Sequence, residues 1–388
     1  MKLARRMEAL APGIFTEMAR AKSRKEATGV KVIDLSVGSP DLPPAPHIIE
    51  ALRKGVENPC NYTYPLAGKL ELHRALTNWY KQRFNVVLDP ATEVLTLMGS
   101  QDGLAHVAMA YINPGDIALV PDPGYPIYAA SILLAEGELY PLPLLEKNGF
   151  LPDFSLIPPE VAKRARMMTI NYPNNPVAAS ANAEFFAEVV AFAKTHDIVV
   201  CHDVAYAELA FDGYKPMSFL EVPGAKEVGI EFYSLSKTYN MAGCRIGFAV
   251  GNAGVLQALG RIKSNIDYGV FAAVQEAGIA ALTGDQACVR QTAAAYQRRR
   301  DILVEGLGKL GWQVPKPQAS MFIWAPLPGN YRSSMGFCLE FLDKTGVLIV
   351  PGVAFGDQGE GYVRIALVQK EEALQEAVAR IASLFRFS

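Results

Sequence analysis

What this 388-residue chain lacks narrows its chemistry before any motif is considered. Its five cysteines, Cys60, Cys201, Cys244, Cys288 and Cys338, include no CxxC pair, which argues against zinc and a disulfide framework and fits reduced thiols in a cytoplasmic protein. No apolar run reaches membrane-spanning length, and the opening MKLARRMEALAPGIFTEM is interrupted by charge and proline before a signal-peptide core can form. Basic and acidic residues nearly cancel, 37 against 39, with no block of like charge, so there is no electrostatic footprint for nucleic acid or an anionic membrane. The histidines (His47, His73, His106, His196, His202) show no HExxH or paired spacing, so no metal is expected. There is no Walker loop, no strand-anchored GxGxxG, no internal repeat and no low-complexity stretch. Small-molecule chemistry is the class that remains.

Hydrophobic residues make up 50% of the chain, and its length exceeds the ~250–300 residues at which single cores stop growing, so two domains are expected. Between about residues 90 and 250, short apolar runs alternate with helical patterns, the mark of crossover units on a parallel sheet. The predicted strands are Glu93–Met98, Ile117–Val120, Met167–Asn171, Ile198–His202, Glu231–Leu235 and Gly247–Val250, with helices over Asp102–Tyr111 and Glu184–His196. Further on, strands are predicted at Trp312–Val314, Met321–Trp324, Val347–Val350 and Tyr362–Ala366, with helices around Tyr331–Thr345 and Lys370–Phe387, which suggests a smaller α+β body. The turn-rich opening segment, to about residue 45, must dock onto one of the two.

The most informative stretch is Ser234-Leu-Ser-Lys-Thr-Tyr-Asn-Met-Ala-Gly-Cys-Arg-Ile-Gly247. A lysine amine titrates near ~10.4 when free, but burial or a neighbouring cation lowers that, and the neutral amine attacks aldehydes. Ser234, Ser236 and Arg245 are placed to grip a phosphate beside Lys237. Taken singly, Lys237 would be read as a surface lysine and Arg245 as a structural ion-pair partner. Gly99-Ser-Gln-Asp-Gly103 follows a predicted strand and opens a helix, so its backbone amides and positive helix end can cradle phosphate, though most such turns are only turns. Arg364 sits mid-strand in YVRIAL, where a guanidinium is costly unless a carboxylate partner is supplied.

SxSKxxxxxGxRxG resembles the lysine signature of the class I and II aminotransferases of fold type I, which depend on pyridoxal phosphate. The resemblance runs from about Gly38 to Arg364 with its motifs in family order. It implies an α/β fold: a large domain, residues 46–285, with a mostly parallel seven-stranded sheet, and a small α+β domain built from residues 1–45 and 286–388. It implies that Lys237 binds the cofactor covalently and acts as general base. Asp203, in DVAY, would face the ring nitrogen. Tyr206 and Asn175, the latter in YPNNP, would bond the ring hydroxyl, and Tyr125 would stack on the ring. Ser100, Gln101, Ser234, Ser236 and Arg245 would surround the phosphate. Arg364 and Gly38, with Asn175, would receive the substrate α-carboxylate. Tyr64, or Tyr62 in its place, would reach the phosphate of a neighbouring subunit, so the protein is expected to be a homodimer with shared active sites.

Substrate choice lies outside these motifs. The run Lys263-Ser-Asn-Ile-Asp-Tyr-Gly-Val-Phe271, with NYTYPLAG and YPNNP, resembles the bacterial LL-diaminopimelate aminotransferases, which take an amino acid with a second amino and carboxylate group at its far end. Two positions depart from the family pattern: Leu66 and Ala67 replace a carboxylate-bearing loop, and Asn175-Pro-Val-Ala178 replaces NPTG. Asp267, Arg261 and Lys263 are candidates for the distal group. Alanine, aspartate or aromatic transamination and a β-lyase on the same fold are the alternatives. A cofactor-binding regulator is disfavoured, since no helix-turn-helix pattern precedes residue 46.

Overall fold

The computed structural model describes residues 2–10, 13–329 and 331–384. In chain order its strands are β1 (Ile33–Asp34), β2 (Val94–Leu97), β3 (Ile117–Asp122), β4 (Glu138–Pro143), β5 (Ala165–Asn171), β6 (Val199–Asp203), β7 (Gly229–Ser234), β8 (Gly247–Gly251), β9 (Phe322–Pro326), β10 (Val347–Leu348), β11 (Val350–Pro351) and β12 (Tyr362–Ala366). Seven of them form one sheet in the order β2-β8-β7-β6-β5-β3-β4. Only β8 runs against the rest, pairing antiparallel with β7 and β2. Helices cover both faces, so the central strands are buried on both sides and read as unbroken apolar runs.

One apolar core includes Leu76, Phe84, Val189, Phe219 and Phe248, and a second, Leu97, Val107, Ala118 and Phe232. A third core draws on both chain ends, joining Met18, Ile33 and Leu35 to Tyr296, Trp312, Phe322, Phe341 and Ile365. It also takes in Ala205, Tyr206, Leu209 and Phe211, just past the end of β6. Two buried arginines on the helix Ala287–Lys309 anchor segments that pass beside the third core. Arg299 grips Asp41 with bonds of 2.7 and 2.8 Å, and Arg300 reaches Asp212 at 2.7 Å.

Several sequence expectations change. The edge strand β4 was missed because it carries Glu138 and two prolines and is largely exposed, so no apolar run marks it. Trp312–Val314 is not a strand: Trp312 is buried against Phe337 and its indole N–H donates to the Pro326 carbonyl at 2.8 Å. The single strand expected over Val347–Val350 splits, β10 pairing parallel with β1 and β11 antiparallel with β12. Leu235 leaves β7 to begin a helical turn, Leu235–Thr238, capped by the Ser234 hydroxyl, which accepts from the Ser236 N–H at 3.1 Å. The opening segment contributes an unforeseen helix, Ile14–Glu26, besides β1. The last helix spans Glu371–Leu384; Lys370 precedes it, and residues 385–387 of the predicted Lys370–Phe387 lie outside the described residues.

Candidate active site

The C-terminal ends of the parallel strands open onto a cavity of about 840 Å³, closed on its far side by the third core. This is where ligands bind in open α/β sheets. Its walls include Gly38, Ser100, Gln101, Tyr125, Asn175, Asp203, Tyr206, Ser234, Ser236, Lys237, Arg245 and Arg364, so every site residue expected from one chain converges here. Tyr64 and Tyr62 do not line it; both are exposed, Tyr64 packed on Tyr268 and Tyr62 on Phe271.

Lys237 rides on the helical turn after β7, and its amine donates to the Gly38 carbonyl at 2.5 Å. Burial, helped by the Arg364 and Arg245 charges, lowers its pKa to about 8, against the opposing pull of Asp203. Asp203 is buried at the end of β6, accepting from the Tyr128 hydroxyl at 2.8 Å and the Ala205 N–H at 3.2 Å. Burial pushes its carboxyl up despite those bonds, so a cation opposite it is the missing partner. Tyr128 was not foreseen: Pro126-Ile-Tyr carries no motif, and only the helix Ile127–Leu134 brings it to β6.

The glycine loop shows why its residues are small. Gly99 has φ 81°, and a Cβ there would stand 2.4 Å from an Arg245 guanidinium nitrogen. The guanidinium therefore lies against the N-terminus of the helix Ser100–Tyr111, whose first amides have no intrahelical partner. Tyr125 donates to the Gln101 side chain at 3.0 Å.

Arg364 points in from β12. It donates to Asn175 Oδ1 at 2.9 Å and to the Ser36 carbonyl at 2.6 Å, while its buried Nε has no partner. Its guanidinium lies 4.2 Å from the Phe322 ring centroid and 4.6 Å from that of Phe355. Burial lowers its pKa to about 10, and among the described residues no carboxylate forms an ion pair with it. A buried cation in that state is a receptor for a carboxylate. Gly38 approaches the same ring so closely that a Cβ would come within 2.7 Å of Phe322. Neither phenylalanine was legible as a site residue, since each reads as ordinary core.

Lys263 is buried between Asp102 at 2.8 Å and Asp267 at 2.7 Å. None of Lys263, Asp267 and Arg261 lines the cavity.

A buried lysine of lowered pKa, a buried carboxyl at the end of β6, a glycine turn at a helix N-terminus and a guanidinium with an unpartnered Nε suit an enzyme that works on amino and oxo acids through a phosphorylated aldehyde cofactor. The model for aminotransferases of class I and II matches residues 30–381, and the chain belongs to that family. It is a pyridoxal-phosphate-dependent aminotransferase. An LL-diaminopimelate aminotransferase of Syntrophobacter fumaroxidans is 52% identical over 98% of both chains, and one of Moorella thermoacetica 51% identical over the same shares. Substrate-bound BacF of Bacillus subtilis superposes with a TM-score of 0.94 at 41% identity, covering 99% of this chain and 98% of its own. The residues present fit the cofactor: the depressed amine of Lys237, the uncompensated carboxylate of Asp203 and the cradle at Gly99 each answer to one of its groups. Among the described residues no helix is long and apolar enough to cross a membrane, and no cluster suits a metal ion.

Proposed function

We propose that the chain moves the amino group of LL-2,6-diaminopimelate to 2-oxoglutarate, a step of lysine biosynthesis, by a ping-pong mechanism. Identity of 52% to an LL-diaminopimelate aminotransferase supports the substrate. The observation that carries the mechanism is Lys237, a buried amine at about 8 set among Arg245, Arg364 and Asp203. When bound, pyridoxal phosphate supplies an aldehyde that captures amines and a ring that withdraws electrons.

Lys237 would hold the cofactor through its amine and, with that amine free, would serve as the base for the proton on the substrate Cα. Asp203, whose carboxyl is pushed up by burial, would hold the proton of the ring nitrogen. Tyr206 and Asn175, 3.4 Å apart, would bond the ring hydroxyl, and Tyr125 would stack on the ring. The Ser100 and Gln101 amides, Ser234, Ser236 and Arg245 take the phosphate, with Lys237 just beyond. Arg364, with Asn175 and Gly38, binds the α-carboxylate.

In this reading residues 46–285 carry the cofactor, while residues 1–45 and 286–388 form a second domain that supplies the carboxylate clamp. The working unit is a homodimer. Tyr62, Tyr64, Leu66, Ile266, Tyr268 and Phe271 are exposed apolar side chains, partly joined by ring contacts of 5.0 and 5.4 Å, and a second copy would cover them and receive Tyr64 at its phosphate. Five free cysteines fit the cytoplasm. The test is a half-reaction screen: the yellow holoprotein is mixed with single amino acids and its absorbance followed. Bleaching by LL-diaminopimelate and glutamate supports the proposal, whereas bleaching by alanine or aspartate in their place keeps the transamination and discards the substrate.

A further inference from the structure

Behind the sheet ends lies a buried hydrogen-bonded pair that the reaction above does not use. Glu231 and His202 stand side by side on β7 and β6, both fully buried. Glu231 Oε1 accepts from His202 Nδ1 at 2.8 Å and from the Phe219 N–H at 2.7 Å. Its Oε2 accepts from the Ser218 hydroxyl at 2.7 Å and the Tyr80 hydroxyl at 3.2 Å. Four donors fill both oxygens of this carboxylate. His202 Nε2 then meets the backbone of Tyr172, 3.1 Å from its oxygen and 3.3 Å from its nitrogen, while Phe186 and Phe219 wall the ring.

Tyr172 begins the loop that delivers Asn175. Asn171 fixes the same loop from its other side, donating to the Asp203 carbonyl at 2.7 Å and accepting from the Asn175 N–H at 2.7 Å. Asn175 is thereby fixed to β6, the strand that ends in Asp203, and from there it takes the Arg364 guanidinium. A buried polar pair is weak evidence of stabilisation, since apolar residues of the same volume often do as well. What an imidazole between a carboxylate and a peptide group does supply is a fixed geometry.

We propose that His202, oriented by Glu231, is a positioning residue that sets Asn175 against both the cofactor ring and Arg364, so that the ring contact and the carboxylate clamp share one support. This rests on the roles given above to Asn175 and Arg364. The test uses holoprotein of the wild type, His202→Gln, Asn175→Ala and the double variant. It reads the dissociation constant of propionate from the cofactor absorbance, the pH midpoint of that absorbance, and Tm. His202→Gln is expected to weaken propionate about tenfold, the usual scale for a lost supporting contact, and to move the midpoint. Asn175→Ala should do the same, and the double variant should be little worse than either single one. If His202→Gln lowers Tm alone while Asn175→Ala alters binding, or if the two effects simply add, the inference is wrong and the Asn175 assignment stands. If neither change alters propionate binding or the midpoint, both fall. Should His202→Gln not fold, Glu231→Gln takes its place under the same criteria.

Discussion

The two sides of the cavity are built by different means. On the cofactor side, Ser100, Tyr125, Asp203, Ser234 and Lys237 all follow directly on the ends of strands in one sheet. A parallel sheet points every such end the same way, so groups placed after strands meet without further instruction. The substrate side has no shared frame. Arg364 from β12 bonds the Ser36 carbonyl 328 positions away, Gly38 presses on Phe322, and Phe15 from the opening helix packs edge-on against Phe355 at 5.5 Å. Local motifs make the chemistry on one side, and long-range packing makes recognition on the other.

Substitutions can break this contrast, and the largest effect belongs to the cofactor side. Lys237→Ala should abolish turnover and the visible absorbance of the bound cofactor together; either one persisting would remove the assignment. Asp203→Ala is expected to lower kcat by about 10²–10³-fold, the scale of losing one preorganised charge, while much of the cofactor is retained on dialysis. On the substrate side, Arg364→Ala should reduce kcat/KM on the order of 10²-fold, as truncating a buried charge pair does, with KM carrying most of the change. A fall in kcat alone would mean that the clamp is shared by both sides.

A milder test uses pH. In cofactor-free protein, Lys237 at about 8 is mostly protonated below that pH and neutral above it, and only the neutral amine attacks the aldehyde. The rate of reconstitution with pyridoxal phosphate, followed by absorbance, should therefore rise about tenfold from pH 7 to pH 9 and then level off. A rise centred near an ordinary lysine value would show that the amine is not buried in solution. Smallest is Gly38→Ala, whose Cβ would overlap the Phe322 ring. It should cost about 1–3 kcal/mol of stability, the usual cost of overpacking, and raise KM a few-fold while leaving the cofactor absorbance unchanged.

Legibility followed the same division. Lys237, Asp203 and the turn at Gly99 were readable because each chemical group stands in a short motif whose spacing is set by a strand end. Tyr128, Phe322 and Phe355 were not, because a tyrosine on an apolar helix and two core phenylalanines acquire their roles only from what packs beside them. Nor does the sequence around Lys263 announce the two carboxylates, Asp102 and Asp267, that bond it in the fold. The strand expectations failed at edges and junctions, at β4, at Trp312–Val314 and at the break between β10 and β11, where tertiary pairing overrides local pattern.

The sequence by itself determined the crossover architecture and marked Lys237, Ser100 and Asp203 as candidates that line one cavity, since apolar periodicity and short-range spacing are local properties of the chain. Only the tertiary structure decided how far Lys237 is depressed, which aromatic rings enclose Arg364, and that its Nε is left without a partner. Those depend on desolvation and on contacts between segments hundreds of residues apart, and neither is written in any one stretch of the chain.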